Sequence, residues 1–184
     1  MRSTMLICLG ALAAAACAPA CAQPSSGQAG SSDPGYEGAD QVVGLFGATC
    51  LHFGGDVAAM RGFLQQQKAP LMPAAARDAF LAGRQGEVYD VSYKTTKLAL
   101  VSLNDGGCEA VVEKADPQQV ISVLQQAARD NNAALTPLGT QAPAKNRLGV
   151  QQTAYGLTLD GRAMHILVST APAPPQAVLT LAPK

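Results

Sequence analysis

The chain has 184 residues, 13 Lys+Arg against 13 Asp+Glu, no Trp and an aromatic share of 4%. Balanced charge leaves no basic footprint for nucleic acid or an anionic membrane surface, and so few aromatics leave no stacking platform for bases or sugars. The core must be built from Val, Leu, Ile and Ala, in the stretch of about 145 residues from Asp40 onward, the size of one domain.

Arg2 is the only charge before Asp33, and it precedes an apolar run from Met5 to Ala16. That run has the length of a signal-peptide hydrophobic region and falls short of the roughly 20 residues that span a bilayer. Residues 1–22 are therefore expected to be a secretory signal, cut after Ala22, because Ala20-Cys21-Ala22 supplies the small side chains that signal peptidase accepts. Ala14-Ala15-Ala16-Cys17 is a degraded form of the box at which bacterial lipoproteins are cut and acylated, so lipidation at Cys17 is the alternative. Either start places the domain in the periplasm, soluble or lipid-anchored, and the anchor would be its only membrane contact. Residues 23–39, rich in Ser, Gly, Pro and Ala, are expected to form a flexible linker, since they carry too little apolar surface to offset ordering entropy.

Residues 40–184 read as a single α+β domain. Asp40 is expected to cap a helix through Val42, Val43, Leu45 and Phe46 to Cys50. Asp56, after Gly54-Gly55, caps a second helix with Val57, Met60, Phe63 and Leu64 on one stripe, ending near Lys68. Pro73 opens a short third helix that carries Phe80 and Leu81 inward and ends at Gly83. From Gly86 the period becomes two: Tyr89, Val91 and Tyr93 alternate with Asp90 and Ser92, and Leu98–Leu103 follows as a strand. Asn104-Asp105-Gly106-Gly107 predicts a hairpin returning into Cys108–Glu113, with Cys108, Ala110 and Val112 on one face. Asp116-Pro117 starts a central helix with Val120, Ile121, Leu124, Ala127 and Ala128 as its apolar stripe. The stretch 136–148 is irregular or an edge strand, Asp160-Gly161 turns Tyr155–Leu159 into Ala163–Ser169, and Ala177–Leu181 is the last strand. The sum is an antiparallel sheet of about five to six strands, with the N-terminal helices and the central helix packed on one face.

Cys50 and Cys108 form an even pair in a chain bound for an oxidising compartment, which favours a disulfide over two unpaired buried thiols. Closing that loop would stabilise the domain by roughly 4 kcal/mol in the chain-entropy account. No C-x-x-C is present to suggest redox catalysis.

Catalytic signals are weak. His52 and His165 are the only histidines, and acid–base or metal chemistry would need them to converge with a carboxylate such as Asp56 or Asp160. Ser92, Ser102 and Ser169 lie in strands rather than on a G-x-S-x-G elbow. Glu109 and Glu113 share a strand face without the marks of an acid–base pair. Gly54-Gly55 suits helix initiation better than anion binding, because Asp56 occupies the cap. No cofactor or metal is indicated. A polar sheet face with Lys94, Lys97, Glu109 and Glu113, edged by Tyr89 and Tyr93, is the candidate interface, since tyrosine flanked by charge suits protein contacts.

Four segments, Ala48-Thr49-Cys50, Ala79-Phe80-Leu81-Ala82-Gly83-Arg84-Gln85-Gly86, Asp105-Gly106-Gly107-Cys108 and Val178-Leu179-Thr180-Leu181, together resemble a family of small uncharacterised proteobacterial envelope proteins and lipoproteins with two mature cysteines. The resemblance implies export and cysteine pairing and carries no activity.

The leading expectation is a non-enzymatic envelope protein that binds another envelope or secreted protein, as an inhibitor or immunity protein. A small hydrolase using His52 or His165 is one alternative. A small-ligand or lipid-binding module is the other, and its discriminator is a deep apolar pocket between the helices and the sheet.

Overall fold

The computed structural model describes residues 34–141, 150–172 and 175–182. The expected signal segment with Cys8, Cys17 and Cys21, residues 23–33 of the expected linker and the connection 142–149 lie outside the described residues. No described helix is long and apolar enough to cross a membrane.

Four helices form: α1 (Pro34–Phe46), α2 (Val57–Gln66), α3 (Ala74–Leu81) and α4 (Pro117–Asp130). Asp56 caps α2 by accepting from the Ala59 N–H at 3.0 Å, and Asp116 caps α4 by accepting from Gln118 and Gln119, as their positions predict. Asp40 caps nothing. The first helix starts at Pro34, so residues 34–39, expected in the linker, are helical, and Gly38 and Ala39 are buried. Their small size permits close approach: a methyl built on Gly38 would run into the Lys114 carbonyl oxygen, so only glycine lets α1 seat there. Beyond Phe46 the backbone widens into a π-helical turn, Gly47–Leu51, where the His52 N–H reaches back to the Gly47 carbonyl. The Thr49 hydroxyl donates to the Leu45 carbonyl at 2.6 Å inside this widened stretch.

Seven strands follow: β1 (Gly86–Asp90), β2 (Leu98–Leu103), β3 (Cys108–Val112), β4 (Ala134–Gln141), β5 (Gln151–Leu159), β6 (Arg162–Pro172) and β7 (Pro175–Leu181). They make one antiparallel sheet in the order β1-β2-β3-β7-β6-β5-β4. The fold class is α+β, as expected, with one or two strands more than the pattern suggested. The extra strand is β4, whose Pro137 and Gly139 flank a register shift at the sheet edge. Both predicted hairpins form. At β5–β6 the turn residues Asp160 (φ 50°) and Gly161 (φ 73°) both adopt the positive φ that a tight two-residue loop requires. Helix α4 carries the chain from β3 to the far edge, so β7 returns to pair with β3 and closes the sheet.

Two cores lie on opposite faces. On one, α1 and α4 place Val42, Phe46, Val120 and Leu124 over Leu100, Ala110, Val112, Ile166, Val168 and Leu179. Each of these side chains larger than alanine contributes about 1.5–3 kcal/mol by leaving water. On the other, α3 covers Val88, Ala99, Val101 and Leu103 with Leu81 and Phe80. The helices therefore do not all share one face. The reason sits in β2, Leu98-Ala99-Leu100-Val101-Ser102-Leu103, where all six residues are buried and no polar side alternates toward solvent.

The disulfide expected from the sequence is present: Cys50 and Cys108 are bonded with their Cα atoms 5.5 Å apart. It joins the π-helical turn to the start of β3, and Met60 of α2 packs on it, with its sulfur 3.7 Å from Cys108 Sγ.

Candidate functional site

Helices α1 and α4 run in the same direction over β5 and diverge as they go. Gly38 abuts the Lys114 carbonyl just ahead of α4, whereas a methyl built on Gly44 or Gly47 would meet nothing within 4 Å. The divergence leaves a cleft of about 400 Å³ between the two helices and the sheet. Its floor is Leu51, Leu157 and Leu159, and its walls are Val43, Val123 and Leu124. Small residues make the room: Gly44 and Gly47 on one side, Ala127, Ala128 and Ala133 on the other. Asp40 and Asn131 are its two polar side chains. Burial lifts the Asp40 carboxyl above the usual aspartate range. Asn131 is already committed, since its amide nitrogen donates to the Ala127 carbonyl at 2.8 Å and ends α4.

The expected interface is divided. Tyr89 faces the helical core and is only 2% exposed, with its hydroxyl donating to Glu87. Burial first, then Glu87, pushes its phenol far up. Glu109 lies under the end of α3, where both carboxylate oxygens accept from Arg84, one of them at 3.1 Å. The other four remain together near one end of the sheet. Tyr93 is 57% exposed, the Lys94 ammonium lies 5.2 Å from its ring centroid, and Lys97 and Glu113 are exposed neighbours whose backbones bond across the β2–β3 pair.

The histidines are not brought together. His52 is exposed just past the π-helical turn, edge-on to Phe53, whereas His165 is exposed on the sheet face away from α1 and α4. Asp56 is occupied as a cap and Asp160 as a turn residue. Among the described residues no three His, Cys, Asp or Glu side chains cluster as metal ligands. Ser92 pairs with the Leu98 backbone, Ser169 accepts from Gln152 at 3.1 Å, and Ser102 is fully buried. Gly54-Gly55 abuts the Asp105-Gly106 turn beside Arg162, but both acids there are engaged by backbone N–H groups.

Two features escaped the residue pattern. Arg61 of α2 reaches the sheet, donating to Ser102 Oγ at 3.0 Å, the Ser102 carbonyl at 2.8 Å and Asn104 Oδ1 at 2.8 Å, with Glu87 3.4 Å away. This network satisfies buried polar atoms and fastens α2 to β1 and β2. The cleft is the second. Its lining comes from three separated stretches of chain, and only the run of small residues, Gly44 and Gly47 at helical spacing with Ala127-Ala128, hints at it in the sequence. No protein-family model, curated protein or solved structure matches this chain. The functional reading therefore rests on geometry.

Proposed function

We propose that this chain is an exported, non-enzymatic binding domain that holds a small, mainly apolar ligand in the cleft between α1 and α4. One observation carries the reading: a cleft of about 400 Å³, apolar on its floor and walls, between helices and sheet. That volume lies within the few hundred to about 1,000 Å³ typical of small-molecule sites, which combine apolar lining with a few polar groups. Export is supported by the N-terminal apolar segment and by a disulfide, which persists in oxidising compartments. The separation of His52 from His165 weighs against the hydrolase alternative.

Titration with the neutral fluorophore N-phenyl-1-naphthylamine tests the reading. Saturable binding is expected, and Gly44→Leu or Ala127→Leu, each projecting into the cleft, should weaken it at least tenfold while leaving the circular dichroism spectrum intact. Equal binding by wild type and both filled variants would sink the proposal.

A second reading is favoured by Tyr93, Lys94, Lys97 and Glu113 remaining exposed together: a contact with another envelope protein, of the inhibitor or immunity kind. Capture from envelope extract with wild-type and Tyr93→Ala, Lys97→Glu baits tests it. A partner retained by the first and lost by the second supports this reading, and identical captures oppose it.

A further inference from the structure

The cleft has an electrical sign as well as a shape. Among the described lining residues Asp40 is the one ionisable side chain, with no Lys, Arg or His. At the opposite end, the last-turn carbonyls of α4 are already bonded, Ala127 to the Asn131 backbone and side chain and Ala128 to the Ala133 N–H, so no charge is offered there. Arg129, the basic residue of that turn, is directed to the exposed side and donates to Gln126 Oε1 at 2.7 Å. The Arg61 and Arg84 side chains are tied to other elements. Among the described residues the apolar lining thus carries one negative charge, at Asp40, and an anionic ligand such as a fatty-acid carboxylate finds no cation there to pair with.

Asp40 is also placed to receive a positive charge. It lies on the stripe of α1 that continues through Gly44, Gly47 and Leu51, one side chain per turn along the cleft. No hydrogen bond or ion pair occupies its carboxylate among the described residues. From Asp40 to Leu51 the stripe extends about 16 Å at 1.5 Å per residue, so the cleft is an elongated slot with one charged end.

Building on the proposed binding role, we infer that the ligand is a cationic amphiphile, a linear aliphatic chain bearing an ammonium group. The chain lies on Leu51, Val123, Leu124 and Leu157, and the ammonium pairs with Asp40.

The test displaces N-phenyl-1-naphthylamine from the folded wild-type protein at neutral pH with dodecylamine, dodecanol and dodecanoate, each below its micellar range. Dodecylamine is expected to displace the probe at the lowest concentration and dodecanoate at the highest. Partial exposure of Asp40 limits the amine's advantage over the alcohol to roughly two- to fivefold. Asp40→Asn should remove that advantage, and acidification through the range where the Asp40 carboxyl takes up its proton should shrink it in wild type only. Dodecanoate matching or exceeding dodecylamine in wild type would overturn the inference, as would an unchanged preference in Asp40→Asn. If the alcohol binds in either case, the ligand-binding reading stands without it. Failure of probe and alcohol alike to bind overturns both.

Discussion

Among the described residues, the half of the sheet made by β1–β3 is packed on both faces, whereas the half made by β4–β7 is packed on one. In the first, α3 and α2 hold the strands from opposite sides, and charged side chains serve as fasteners: Arg84 to Glu109, and Arg61 to Ser102 and Asn104. In the second, α1 and α4 diverge above β5 and leave the cleft. A scaffold saturated with contacts stands beside a region with unfilled space, an arrangement in which the proposed binding site would be held by rigid elements rather than by loops. The disulfide stands where the two meet, since Cys50 follows α1 toward the cleft and Cys108 begins β3.

The largest test of that division is removal of the bond. A Cys50→Ala/Cys108→Ala variant should lose roughly 4 kcal/mol of stability in urea unfolding, because the open chain regains the entropy of a long loop. A loss below about 1 kcal/mol would mean that packing of α1 against the sheet already holds the junction. Next in size is Gly38→Ala. The added methyl meets the Lys114 backbone, which moves only if α1 shifts, so a cost of about 1–3 kcal/mol is expected from the denaturation midpoint. A neutral result would show that the closed end of the α1–α4 pair is as slack as the open end.

Much of the scaffold was legible because its signals are local. Asp56, Asp116-Pro117, Asp105-Gly106 and Asp160-Gly161 form their caps and turns through bonds within a few residues of themselves. What misled was burial by contacts distant in sequence. Gly38 and Ala39 look like linker because they are small, yet smallness is what lets α1 approach Lys114. The start of that helix had a signal nonetheless: Asp33-Pro34 repeats the dipeptide of Asp116-Pro117. Tyr89 looks like an interface residue by alternation, yet it belongs to the core under the helices, where its hydroxyl meets Glu87, itself paired with Arg61 of α2. The unbroken apolar run Leu98–Val101 carried the information that β2 is covered twice. The cleft was least legible, because empty space depends on the angle between two helices, and no single residue encodes it.

A smaller effect separates the fasteners from the cores. Arg84→Ala should cost about 1 kcal/mol or less, since the guanidinium is part-exposed and screened even though it holds Glu109 and the Phe80 and Leu81 carbonyls at the end of α3. A loss of several kcal/mol would place the ion pair among the principal supports of the doubly packed half.

The smallest effect has the opposite sign and bears most directly on the cleft. Gly44 lies inside α1, where glycine is less favourable than alanine by about 0.5–1 kcal/mol because the unfolded chain has more freedom to lose. Its methyl would meet nothing within 4 Å. Gly44→Ala should therefore raise the unfolding midpoint slightly, the reverse of Gly38→Ala six residues earlier on the same helix. The stabilised variant should also bind the naphthylamine probe less well, because the methyl takes up part of the slot. Gain of stability together with loss of binding would mark Gly44 as a position where space matters more to this protein than helix strength. Gain of stability with unchanged binding would mean that the ligand does not reach this turn of α1, and would confine it to the end of the slot near Leu51 and Asn131.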